Sequence, residues 1–280
     1  MKQLNSAGDN RHHIGHQRIM LLTPDRVFYL GLLGAPSLRK CGALMLYASL
    51  DSPFSLCLDG GHWAQRELAV VPPHVCHRII TNAPMIASIM IEPESVNLTR
   101  LPDVFTGPSC DETATLNRIR EAYACLQTID YEPRVKTLDV DCLFWGRALA
   151  PRALDARVAA IINKIRHDPT GHYSACACAA ESGLSFSHFL HLFKQETGVA
   201  FRKFQAWKRA RAMLYHVNRR DALIDIALDV GYPDSTHFSH TIRQVYGLPP
   251  REIFAGSRHL MILRQEPLRT DAWQRSLAAA

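Results

Sequence analysis

Residues 183–198 read GLSFSHFLHLFKQETG and residues 231–247 read GYPDSTHFSHTIRQVYG, and the second stretch repeats the first. His188 and His237, Phe189 and Phe238, His191 and His240, Lys194 and Arg243, and Gly198 and Gly247 each stand 49 residues apart. Gly183 and Gly231 are 48 apart, as are Ala179 and Ala227 four residues before them, so the second turn is one residue longer. Such a pattern predicts two helix-turn-helix units. A small alanine lets a second helix cross close over the first, a glycine turns the chain, and an aromatic-rich stripe closes the core. The stripe is Phe189, Leu192 and Phe193 in unit one, and Phe238, Ile242 and Val245 in unit two. Ser185 and Asp234 are placed to cap the second helices, and Gly198 and Gly247 to end them.

The opposite faces display Ser187, Leu190, His191 and Lys194 in unit one, and Ser235, Thr236, His237, His240 and Arg243 in unit two. Between the units, residues 201–216 predict a connecting helix about 24 Å long. A connector of that order would hold two helices near the roughly 34 Å repeat of duplex DNA. It carries Arg202, Lys203, Lys208, Arg209 and Arg211. Together with Lys194 and Arg243 these are the expected contacts to the DNA backbone, adding affinity that is sensitive to salt and blind to sequence.

Charge follows the same division. Residues 1–150 hold 14 Lys and Arg against 15 Asp and Glu, a net of −1, whereas residues 151–280 hold 18 against 11, a net of +7. At 280 residues, 47% apolar and 21% charged, the chain is globular and long enough for about two domains. Its hydrophobic runs are too short for a membrane span and its polar start lacks a signal-peptide core, so a cytoplasmic protein is expected. Eight scattered cysteines contain no C-x-x-C pair and read as buried small hydrophobes.

Upstream, short apolar segments at 27–30, 42–48, 54–58, 67–71 and 86–91 alternate with Gly, Pro, Asp and Asn turns, the pattern of a small antiparallel sandwich or barrel. Two helical stripes follow, Leu116, Ile119, Tyr123 and Leu126, then Leu138, Cys142, Trp145 and Leu149. They either pack on the sandwich or form the seam of a homodimer through residues 111–149. Met45, Tyr47, Trp63, His77 and Met90 are candidates to line an effector pocket. His62, Glu67, His74 and His77 form a loose cluster, but a metal centre needs three converging ligands and a compact H-x-H is absent. His12, His13 and His16 lie in the polar start. No G-x-S-x-G, P-loop or dinucleotide fingerprint occurs, so neither cofactor, metal nor enzymatic activity is expected.

The stretches AAESGLSFSHFLHLFKQETG at 179–198, IALDVGY at 226–232 and HFSHTIRQVYGLPPREI at 237–253 make a family resemblance specific. Residues 152–255 resemble the DNA-binding domain of the AraC/XylS family of bacterial transcription regulators. Residues 27–150 resemble the cupin-like effector and dimerisation domain that often precedes it. The resemblance implies a two-domain α+β chain, with an N-terminal antiparallel β-sandwich with appended helices and an all-α C-terminal domain of two helix-turn-helix units joined by a long helix. It implies a mobile arm at 1–26, an effector domain at 27–150, a DNA-binding domain at 151–260 and a tail at 261–280. Its function would be to regulate transcription, most often as an activator, by binding double-stranded DNA as a homodimer in answer to a small molecule, with RNA polymerase as a further partner. Base reading falls on Ser187, Leu190 and His191 in unit one and on Ser235, Thr236, His237 and His240 in unit two. Leu190 departs from a usual polar residue and Ile242 from a usual phenylalanine. Two rivals stand beside this reading: a regulator without a small ligand, controlled by a protein partner or by abundance, and a cupin-like metal enzyme fused to a DNA-binding half.

Overall fold

Alternating side chains give the central sheet two apolar faces, and what covers each face decides the architecture. The computed structural model describes residues 17–34, 36–105, 111–129 and 135–265. His12, His13, His16 and Cys110 lie outside the described residues. In chain order the strands are β1 (Ile19–Leu22), β2 (Arg26–Gly31), β3 (Leu44–Ser49), β4 (Phe54–Leu58), β5 (Ala64–Arg66), β6 (Leu68–Val71), β7 (His77–Ile80), β8 (Ile86–Ile91) and β9 (Met261–Arg264). Six form a sheet in the order β6-β3-β8-β2-β1-β9, and three form a second sheet in the order β5-β4-β7.

Every residue of β3 and β8 is buried. Met45, Tyr47, Ile86 and Met90 face one core, while Leu44, Leu46, Ala87, Ile89 and Ile91 face another. The second core is covered by α1 (Glu112–Gln127) and α2 (Val140–Trp145). Asp111 and Asp139 cap these helices through the Ala114 and Cys142 amides. Leu116, Ile119, Tyr123 and Leu126 are buried, and Phe144 stacks on Phe28 with ring centroids 4.2 Å apart. Leu116, Ile119, Tyr123 and Leu126 are therefore spent on the sheet, whereas in the second stripe Cys142 is exposed and Leu138 and Trp145 are half-buried.

The remaining helices are α3 (Ala156–His167), α4 (Ala175–Glu181), α5 (Phe186–Thr197), α6 (Phe201–Ala212), α7 (Leu223–Asp229), α8 (Ser235–Tyr246) and α9 (Pro250–Gly256). A 3-10 turn at Met213–His216 extends α6, so the connector is an α-helix with a tightened end. Unit one closes its own core: Val158, Ile161, Ile162 and Ile165 of α3 meet Phe189 and Phe193, with Phe201 and Phe204 from α6. Unit two does not. Ile226, Phe238 and Ile242 share one core with Met20, Val27, Tyr47 and Met90 of the sheet and Phe54 and Ile79 of the smaller sheet.

Two expected boundaries move. Residues 19–26 are not part of a loose arm, because Ile19–Leu22 forms β1 and pairs antiparallel with β2. Residues 261–264 are not a tail, because they pair in parallel with β1, placing Met261 beside Ile19 and Arg264 beside Leu22. The physical cause is shared: Met20, Leu22 and Ile262 turn to one core and Ile19, Leu21, Met261 and Leu263 to the other, with β1 buried and β9 half-buried at the sheet edge.

Candidate nucleic-acid interface and interdomain cavity

Each unit presents its second helix in the way its sequence dictates. The Ser185 and Asp234 side chains accept from the His188 and His237 amides at 3.4 and 2.7 Å. Gly198 and Gly247 end α5 and α8 at φ 77°, a left-handed conformation that only glycine adopts without cost. Ser187, His191 and Lys194 stand exposed on α5, as do Thr236, His237, His240 and Arg243 on α8. Ser235 is half-buried, and Leu190 packs partly against the core of unit one. Arg202 and Lys203 are exposed on α6, and Arg209 is half-buried.

Lys208 and Arg211 are not available to DNA. Both are buried, at 4% and 5% exposure, against two glutamates just beyond β8. Glu92 Oε2 accepts from Lys208 Nζ at 2.7 Å and from Trp207 Nε1 at 2.8 Å, and Arg211 Nε lies 2.9 Å from Glu92 Oε1. Glu94 pairs with Lys208 as well. Arg211 also donates to the Thr23 carbonyl at 2.5 Å and the Arg26 carbonyl at 3.0 Å. Burial alone would raise the Glu92 carboxyl. The Lys208 and Arg211 charges, with the bonds from Lys208 and Trp207, overcome this and hold it below the usual range. A signal existed in the sequence. Phe201, Phe204, Lys208 and Arg211 lie at 3–4 spacing on one helical face, so the cations continue the stripe that Phe201 and Phe204 turn inward.

A cavity of about 260 Å³ lies where the sheet meets unit two. Met45, Tyr47 and Met90 line it, whereas Trp63 and His77 do not. Trp63 stands beside the short strand β5 and is 47% exposed. His77 is buried behind Tyr47: its Nδ1 donates to the Val75 carbonyl at 3.2 Å, leaving Nε2 to accept from the Tyr47 hydroxyl at 2.8 Å. Burial lowers its pKa to about 4 and raises that of Tyr47 to about 12, so the pair is neutral. His62, Glu67, His74 and His77 do not converge, and among the described residues no three His, Cys, Asp or Glu side chains are grouped to hold a metal.

The far wall of the cavity comes from Leu214, Val217, Tyr246, Ile253 and Leu260, residues no strand pattern could nominate. Arg39 also faces it and was missed. Its side chain is 7% exposed, and its Nε and Nη2 meet no acceptor among the described residues. Buried guanidinium nitrogens without an acceptor are costly and are poised for an anion.

Comparison with known proteins agrees with this geometry. Residues 178–256 match the family "Helix-turn-helix domain". The chain is 29% identical over 72 residues to "Invasion protein InvF" of Salmonella typhi, a match covering 25% of this chain and 33% of that one. The chain thus spans about a third of the length of this curated relative. Among solved structures, the apo form of a point variant of ToxT from Vibrio cholerae aligns over 83% of this chain and 97% of its own, at 12% identity and TM-score 0.54. Wild-type ToxT from the same organism with an unsaturated fatty acid bound covers 83% and 95%, at 12% identity and TM-score 0.51. The chain has the two-domain fold of ToxT, with a β-sheet N-terminal domain and a helical carboxyl-terminal domain that carries the helix-turn-helix match. No helix among the described residues is long and apolar enough to cross a membrane.

Proposed function

We propose that this protein is a sequence-specific, DNA-binding transcriptional regulator, acting as an activator, whose DNA-binding units answer to a small molecule held in the interdomain cavity. The observation that carries the reading is the pair of capped helices α5 and α8, each with its apolar side buried and its polar side free. Ser187, Leu190, His191, Ser235, Thr236, His237 and His240 are the proposed base readers. Lys194, Arg202, Lys203, Arg209 and Arg243 are the proposed backbone contacts. A homodimer through residues 111–149 remains part of the proposal, with RNA polymerase as the partner of the DNA-bound form.

Selecting operators from random duplexes tests the reading. His191→Ala is expected to cost about 1–3 kcal/mol of discrimination at one or two bases; equal loss on every sequence would make it a backbone contact. Arg202→Ala and Lys203→Ala should weaken all duplexes alike and each reduce the salt slope by about 1. Lys208→Ala, by contrast, should leave that slope unchanged, since its ammonium is buried on Glu92 and Glu94.

Support for an effector comes from the cavity and from the Arg39 nitrogens that meet no acceptor there. The fatty acid carried by ToxT suggests the class, an apolar monocarboxylic acid whose carboxylate takes Arg39 Nε and Nη2 together. Oleate is a suitable probe, read by calorimetry. Arg39→Ala should weaken it about 10- to 100-fold, and an unaltered affinity would remove Arg39 from the site.

A further inference from the structure

Residues 37–41 run as one extended segment between the cavity and the second recognition helix. Arg39 and Cys41 face the cavity, while Leu38 and Lys40, which alternate with them, are exposed. Arg39 is held to His77 by two backbone hydrogen bonds, each 3.0 Å, and the Cys41 carbonyl accepts from the His74 amide at 2.7 Å. On the other side the segment grips the carboxyl end of α8. The Lys40 amide donates to the Gln244 carbonyl at 3.0 Å, and the Ser37 hydroxyl donates to the Gly247 carbonyl.

The final carbonyls of a helix have no partner within it, so whatever binds them sets how its last turn sits. Here the partner is a wall of the cavity. The fit is close: a Cβ at Gly247 would stand 2.6 Å from Ser37 Oγ and 3.3 Å from Arg39 Nε. The guanidinium that faces the cavity is therefore also the group lying against the end of α8. Immediately after the segment, Gly42 lies so close to the Trp207 indole of α6 that no side chain fits between them.

We propose that residues 37–41 are the coupling element between cavity and DNA: one segment whose Arg39 and Cys41 side chains face the effector and whose Ser37 hydroxyl and Lys40 amide hold the carboxyl end of α8. An effector that draws Arg39 toward itself moves the group packed against Gly247, and with it the last turn of the recognition helix. This rests on the effector reading above. By linkage, an operator that repositions α8 alters the affinity of the cavity for its ligand by the same factor.

Hydrogen exchange of the full chain, without ligand or DNA, tests the coupling. Three variants are compared: Arg39→Met, which changes the cavity side of the segment; Ser37→Ala with Lys40→Pro, which removes both bonds to α8; and Leu32→Ala, which opens the same cavity at an exposed position outside the shared core. The first two should speed exchange in residues 243–247 by about tenfold while leaving α5 unchanged, and Leu32→Ala should leave both helices as they were. The proposal is overturned if the Ser37/Lys40 variant leaves the last turn of α8 unaltered, or if Leu32→Ala loosens it as much as Arg39→Met does. Oleate added to the wild type reads the effector class separately: failure to bind would end that class, and the exchange comparison would still decide the coupling.

Discussion

Glu92→Ala is expected to lower the unfolding free energy by about 3–5 kcal/mol, the range for removing one partner of a buried ion pair. The Glu92 side chain is 2% exposed and faces Lys208, Arg211 and the Trp207 indole at once. Its loss leaves Lys208 with Glu94 alone and Trp207 Nε1 with no acceptor, in a place water does not reach. Urea unfolding should show a lower midpoint with an unchanged slope. A loss under about 1 kcal/mol would mean that α6 lifts from the sheet and returns its cations to solvent.

The pH dependence carries the same signature. Because the folded protein holds the Glu92 carboxyl below its usual 4.5, the stabilisation is complete above that pH and is lost as the pH falls through the lower folded value. Glu92→Gln should therefore be less stable than the wild type at pH 6, and the difference should narrow in acid. A constant gap between the two from pH 6 to pH 2 would show that the charge on Glu92 is not what holds α6.

Phe193→Ala is expected to cost unit one about 3–5 kcal/mol. Phe193 is fully buried, and its ring lies edge-on to Phe201 and Phe204 at 5.0 and 5.2 Å between centroids, with Phe189 at 5.8 Å. Unit one has no other core to lean on, so α3, α4 and α5 should lose exchange protection together while β3 and β8 keep theirs. Specific DNA binding should fall with unit one. Phe238→Ala, in the equivalent place of unit two, should instead weaken protection in α7, α8 and the facing strands alike, because that core is shared. If Phe238→Ala were felt only among the helices, the shared core would not be a cooperative unit.

Much of the candidate interface was legible in the chain. Local chemistry sufficed for it: Ser185 and Asp234 cap the helices they precede, Gly198 and Gly247 close them, and the 49-residue repeat identifies which side chains face outward. Three of the five pocket candidates line the cavity for a similar reason, since Met45, Tyr47 and Met90 sit on alternating strands whose inward face can be counted. Trp63 and His77 do not, because Trp63 precedes β5 and His77 begins β7 in the smaller sheet, and a strand pattern does not say which sheet walls the cavity.

By itself the sequence determined the two units, their caps, the strand alternation and the excess of positive charge at the carboxyl end. Tertiary structure alone decided that unit two shares its core with the sheet, that Met261–Arg264 returns to pair with β1, and that Arg39 faces a cavity walled by both halves. It also turned Lys208 and Arg211 from DNA contacts into an interdomain clasp. The reason is range. Periodicity puts Lys208 and Arg211 on the inward face of α6, but Lys208 and Glu92 are 116 residues apart, and spacing does not name a partner at that separation.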